Sequence, residues 1–160
     1  MSEFPYSIEQ TRECILATEA SLRLLVSRLM SRSYGSEWDM FVPEQPSPLM
    51  DESTYLSLVD RREAAQEMQP DDNRASTHLL DYSEITHLRN LIKEHWSLFS
   101  PIFLSEGIIV LLDQLKYLRS PLMSGGGRMA LHRHYLCLGI CGEVLSIIQQ
   151  WQESPYAIKG

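Results

Sequence analysis

Apolar residues recur along this chain at steps of three and four, while sustained alternation of apolar and polar positions is scarce and no internal repeat is visible. Such spacing predicts helices rather than strands. Ile8, Arg12, Ile15, Glu19, Leu22, Val26 and Leu29 lie on one stripe of a first helix, mostly apolar. Ser7 is placed to cap it, with Gln10 three residues on, and Tyr34-Gly35 ends it after about Ser33. Pro43, Pro46 and Pro48 mark an irregular connection. A weaker acidic helix is expected over Ser53 to Met68, with Tyr55, Leu58 and Val59 as its apolar contacts, followed by an exposed loop from Gln69 to Thr77.

Helical spacing returns at Ile85, Leu88, Ile92, Trp96 and Phe99, with Ser83 as the expected cap and Pro101 as the expected break near Ser100. The next helix begins near Ser105, carries Ile108, Leu111, Leu112, Leu115 and Leu118, and is expected to stop at Ser120-Pro121. Ser124-Gly125-Gly126-Gly127 reads as a flexible turn. The last helix runs from Arg128 or Ala130 to about Trp151. One of its stripes is Leu131, Tyr135, Leu138, Leu145 and Ile148; a second is Leu136, Ile140, Val144 and Ile147. A helix so apolar around its circumference is either central or covered on one side by another subunit. The expected fold is all-α: a four-helix up-and-down bundle from residues 7–33 and 83–152, with a short helix and loop (39–78) inserted between the first two core helices.

Composition narrows the class. A chain of 160 residues, 44% hydrophobic and 22% charged, suits one globular domain. Cys14, Cys137 and Cys141 fall in apolar helical stretches and are too few for a disulfide framework, which suggests reduced thiols and a cytoplasmic, intracellular setting. The first residues lack a basic segment followed by an apolar run, and the longest apolar run, Gly107 to Leu112, is too short to cross a bilayer, so no membrane partner is expected.

Charge changes the picture more. The net charge of −7 disfavours a general nucleic-acid binder. Yet Lys116 to His134 holds Lys116, Arg119, Arg128 and Arg133 with two histidines and no acid, whereas Asp51 to Asp72 holds seven acids against Arg61 and Arg62. Lys116, Arg119, Arg128 and Arg133 are therefore candidate anion-binding residues. Lys116 and Arg119 also suit a helix C-terminus, where cations offset the macrodipole.

Two constellations carry little chemistry. His134, Cys137 and Cys141 share one helical stripe, but seven residues of helix rise roughly 10 Å, so one metal cannot touch all three. The Ser124–Gly127 run lacks the lysine and the preceding strand of a phosphate-binding loop. Neither a metal nor a cofactor is expected.

The segment Leu118-Arg119-Ser120-Pro121-Leu122-Met123-Ser124 carries more. It resembles the Arg-Asn-Pro-x-x-His motif of the HEPN superfamily, all-helical bundles that dimerise and often cleave RNA. Tyr34-Gly35-x-x-Trp38 is similar to a helix end in one branch of that superfamily, which includes a nuclear messenger-RNA surveillance endoribonuclease. Leu80-Asp81-Tyr82 and Ile92 to Phe103 are similar to that branch's next block, so the resemblance spans most of the chain from Ile8 to Ile148. It implies a homodimer, or a pair with another HEPN protein, in which motif Arg and His residues face each other and drive metal-independent attack of a ribose 2′-OH on the adjacent phosphate. Such a step needs a proton carrier and a cation for the phosphate.

Arg119 matches the motif arginine, Ser120 the asparagine and Ser124 the histidine. An unaided serine hydroxyl has no pKa near neutrality, so the expectation is a catalytically degenerate module that binds a partner or RNA phosphate. Two alternatives stand beside it. One is an active endoribonuclease in which His132 or His134 reaches Arg119 across the glycine turn. The other is a purely structural subunit.

Overall fold

A computed structural model describes residues 8–42, 47–68, 78–123 and 131–154. The expected Ser7 cap, most of the proline-marked connection, the 69–77 loop and the 124–127 turn lie outside the described residues. The described chain is all-α, with six helices packed together: α1 (Ile8–Tyr34), α2 (Glu52–Met68), α3 (Ile85–Glu94), α4 (Trp96–Phe103), α5 (Gly107–Met123) and α6 (Leu131–Gln152). One 3-10 turn, Leu79–Tyr82, leads into α3.

The long helix α1 runs beside α6, α3 packs on α5, and α5 closes onto α6. Ile15, Leu22 and Val26 of α1 are fully buried, as the spacing predicts, and they join Leu88, Leu91 and Ile92 of α3, Leu112 and Leu115 of α5, and Val144 and Ile148 of α6. Each such side chain contributes roughly 1.5–3 kcal/mol by leaving water. Gly35 ends α1 in the left-handed region (φ +94°), donating its N–H to Ser31 O at 2.8 Å. Trp38 and Asp39 then turn inward, and Met40 bridges to His78.

Helix α2 starts where Asp51 caps it, its Oδ1 accepting the Thr54 N–H at 3.0 Å. It lies over the 3-10 turn and the start of α3, burying Tyr55 and Leu58. Among the described residues, no single helix is long and apolar enough to cross a membrane.

Three boundaries differ from the sequence expectation. The N-cap of α3 is Glu84, not Ser83. The Ser83 hydroxyl is taken up by the preceding turn, donating to Leu80 O at 2.6 Å and accepting from Arg23 Nε at 3.2 Å. The break between α3 and α4 falls at His95, not near Ser100, because the His95 ring is anchored sideways by Leu49 O at 2.7 Å. Pro101 is accommodated inside α4, which ends two residues later at Phe103. Helix α5, bent 93° from α4, continues through Ser120-Pro121 to Met123. Arg119 therefore sits one turn inside a helix instead of at its last residue.

Candidate functional site

The segment Tyr82-Ser83-Glu84-Ile85 is held by charged side chains from three other helices. Glu19 reaches it from the core stripe of α1: its carboxylate is 4% exposed, and its Oε1 accepts the Ile85 N–H at 3.2 Å. An otherwise unsatisfied N–H at the start of α3 is thereby capped by a buried anion. Arg119 of α5 meets the same carboxylate with two nitrogens, Nε to Oε1 at 2.5 Å and a terminal nitrogen to Oε2 at 3.5 Å. Its other terminal nitrogen lies 3.4 Å from Glu84 Oε2. Arg61 of α2 pairs with the other oxygen of Glu84 and donates to Tyr82 O at 2.6 Å. Arg23, one turn beyond Glu19, donates to Ser83 O at 2.7 Å.

Three guanidinium groups and two carboxylates thus converge on the entry to α3. A buried carboxylate is tolerated only when its charge is met and its lone pairs are used, and Arg119 with the Ile85 N–H supplies both. The primary role of Arg119 in this arrangement is to neutralise Glu19. With its side chain only 18% exposed, it offers little surface to a ligand.

An open cleft of about 790 Å3 lies beside this node, between α2 and the start of α3, lined by Ser53, Leu56, Ser57, Asp60, Arg61 and His87 among others. Ser57 Oγ and His87 Nε2 are 2.8 Å apart. They are not a nucleophile and its base. His87 Nδ1 accepts the Glu84 N–H at 2.9 Å, so in the neutral ring the proton resides on Nε2, which donates to Ser57. A base would need Nε2 free to accept. Burial, aided by Arg61, holds the His87 pKa down at about 4, so the ring stays neutral at physiological pH.

The remaining expected site residues scatter. Lys116, His132 and Arg133 are exposed near the facing ends of α5 and α6. His134 is buried, its Nδ1 sharing a hydrogen bond with Thr11 Oγ1 of α1 at 2.5 Å, and burial lowers its pKa. Its bond is to the first turns of α1, eight residues before Glu19. Ser124 and Arg128 lie outside the described residues.

Comparison with protein-family models, curated proteins and solved structures finds no match. What the chain can do chemically is set by its own geometry.

The thiols illustrate what that geometry permits. Cys14 on α1 meets Cys141 on α6, which also bonds Cys137 one turn earlier. Burial pushes Cys14 up to about 11; the Cys141 thiol donates to Cys137, which together with burial raises Cys141, while the same bond lowers Cys137. Cys14 and Cys141 remain protonated and pack as small apolar groups. Among the described residues, no group of three His, Cys, Asp or Glu side chains is arranged to hold a metal ion.

Sequence reasoning singled out Arg119 but not its setting. Glu19, Arg23, Arg61, Glu84 and His87 were missed as members of the same node. One signal was present: Glu19 is an acid on the otherwise apolar stripe Ile15, Leu22, Val26, and an acid at a core position requires a buried cation.

Proposed function

We propose that this chain is a HEPN-like helical module that has lost catalysis and recognises an RNA phosphate through its basic edge. In this reading α1, α3 with α4, α5 and α6 are the four helices of a HEPN-type bundle, and α2 is the decoration inserted after the first. The observation that carries it is the ion pair of Arg119 with the buried Glu19. A catalytic arginine must be available to a phosphate and stand beside a proton carrier. This one is committed to a carboxylate, and the buried imidazole of His134 is directed at Thr11. Loss of the motif histidine, replaced by Ser124, agrees with that commitment. What remains for an anion is the exposed charge of Lys116, Arg133 and His132, with Arg128 in the same acid-free stretch.

An acidic protein with about three available bases binds a single strand weakly. With about three phosphates neutralised, the slope of log affinity against log salt is near −2, roughly a 15- to 20-fold loss between 50 and 200 mM. A fluorescent uridine 20-mer titrated in EDTA tests this. Salt-sensitive binding that drops at least fivefold in the doubly reversed Lys116→Glu/Arg133→Glu protein is the expected result. These two positions are exposed, so the fold tolerates the change. Wild-type binding no stronger than that of the doubly reversed protein would overturn phosphate recognition and leave the protein-partner form of the module. Cleavage products that vanish in His132→Ala or His134→Ala would overturn the degenerate reading.

A further inference from the structure

The cleft between α2 and the start of α3, about 790 Å3, holds more than the Ser57–His87 bond. On its α2 wall Glu52, Leu56 and Asp60 follow at steps of four, on one side of the helix. Single exposed leucines are common. Leu56, however, is 50% exposed inside a cleft and stands between two carboxylates. Charge in the cleft is unbalanced. Of its three carboxylates, Glu84 is taken up by Arg61 and Arg119. Glu52 and Asp60 are exposed, and among the described residues no cation pairs with either. The N-terminal end of α2 favours Glu52 where it stands. Asp60, in the middle of the helix, gains nothing of that kind and is a poor helix former. The Ser57 hydroxyl accepts from His87 Nε2, which leaves its own O–H free to donate from the exposed wall.

We infer that this cleft receives a short extended segment of a partner protein, in which an apolar side chain is flanked by two bases. Glu52 and Asp60 stand about 12 Å apart along the helix axis, at 1.5 Å per residue. An extended chain covers that span in about four residues, at roughly 3.3 Å each. Its side chains at i, i+2 and i+4 share one side. A base, a leucine-sized residue and a second base therefore match the two carboxylates and the leucine between them. The Ser57 O–H is available to a carbonyl of the segment. An apolar occupant would leave both carboxylates desolvated and unmatched, and a nucleic acid would be repelled; the basic segment satisfies the charges and covers Leu56 together. Exposed ion pairs around one half-covered leucine make a weak, transient and salt-sensitive contact.

Segment docking and phosphate recognition share no residue, and the test contains no RNA, so either can fail alone. The probe is the peptide Lys-Thr-Leu-Thr-Lys, capped at both ends and titrated into the isotope-labelled full chain while amide NMR signals are followed. Saturable shifts over residues 52–61 and 84–87 are expected, with a Kd on the order of 1 mM at low salt and weaker binding as salt rises. Replacing the peptide's leucine by threonine should weaken it about fivefold, and Glu-Thr-Leu-Thr-Glu should not bind. The doubly reversed Glu52→Lys/Asp60→Lys protein should lose the basic peptide and gain the acidic one. Asp60→Asn alone, a milder change at an exposed position, should weaken the basic peptide at least threefold. No saturable shift up to about 5 mM peptide would overturn the inference, as would equal binding of the acidic peptide or indifference to Asp60→Asn. Spermidine producing the same shifts at the same concentration would also overturn it and assign the cleft to small polyamines.

Discussion

Withdrawing a carboxylate from water costs several kcal/mol even after the protein relaxes around it. Glu19, 3% exposed overall, tolerates this because Arg119 and the Ile85 N–H converge on it. Removing one member therefore harms more than removing the charge altogether. Arg119→Ala should destabilise the fold by about 3–5 kcal/mol, since it leaves a buried anion uncompensated. Adding Glu19→Gln should recover a good part of that loss, because the amide oxygen still accepts from Ile85 and no longer carries charge. Urea denaturation of both variants checks this. A double variant as unstable as the sum of the two single ones would show that the pair is not coupled. The residue scale is also where the sequence was least legible. Arg119 was visible through its neighbours in the chain, but its partners lie 100 and 35 residues away. Only the misplaced acid on the α1 stripe pointed to them. The tautomer of His87, which decides whether Ser57 is a nucleophile, depends on one backbone N–H and has no sequence signature at all.

At the scale of elements, legibility followed the strength of the local signal. Helix α1 runs from Ile8 to Tyr34 as its stripe and its Gly35 terminator predict, and α2 starts one residue before the expected Ser53 because Asp51 caps it. Ends governed by tertiary contacts were missed. Proline suggested a break near Ser100, yet the chain turns at His95, where a carbonyl from the loop before α2 captures the ring. The end of α4 was hidden for a related reason. Leu104 closes it in the left-handed region (φ 63°) although it is not glycine, and its N–H reaches Ser100 O at 2.8 Å. That conformation costs a non-glycine residue roughly 1–2 kcal/mol, and the side chain, 83% exposed, recovers almost nothing by burial. Leu104→Gly removes the strain but gives the unfolded chain more freedom, an opposing effect of about 0.4–1 kcal/mol. The balance is a gain of up to about 1.5 kcal/mol, seen as a rise of a few degrees in melting temperature. A fall would mean that the leucine side chain makes contacts its exposure does not suggest.

For the molecule as a whole, the node and the α1–α6 seam share a property that makes stability depend on pH. His87 is buried at the start of α3, and burial, then the positive charge of Arg61, holds its pKa at about 4 against an ordinary value of 6.5. His134 in the seam is lowered by burial in the same direction. Between those two pH values the unfolded chain carries a proton on His87 that the folded chain does not. Acid therefore favours unfolding, and the contribution is complete above 6.5 and lost as pH falls toward 4. For His87 alone this is on the order of 3 kcal/mol. His78 acts oppositely: its hydrogen bond to Asp39, offset only partly by burial, raises its pKa. Its contribution is present below 6.5 and lost as pH climbs through the raised value, though the ring is 44% exposed and the effect is correspondingly small. The two limbs meet near neutrality, with the acid side the steeper. Urea midpoints measured from pH 8 to 4.5 should fall mainly below 6.5. His87→Gln should lower stability at pH 7, because the bonds to Glu84 N–H and Ser57 are disturbed, yet flatten the acid limb, because the proton uptake that drives it is gone. A variant with the wild-type slope between 6.5 and 5 would assign that limb to His134 and the carboxylates, and would mean that the node loses nothing when His87 is protonated.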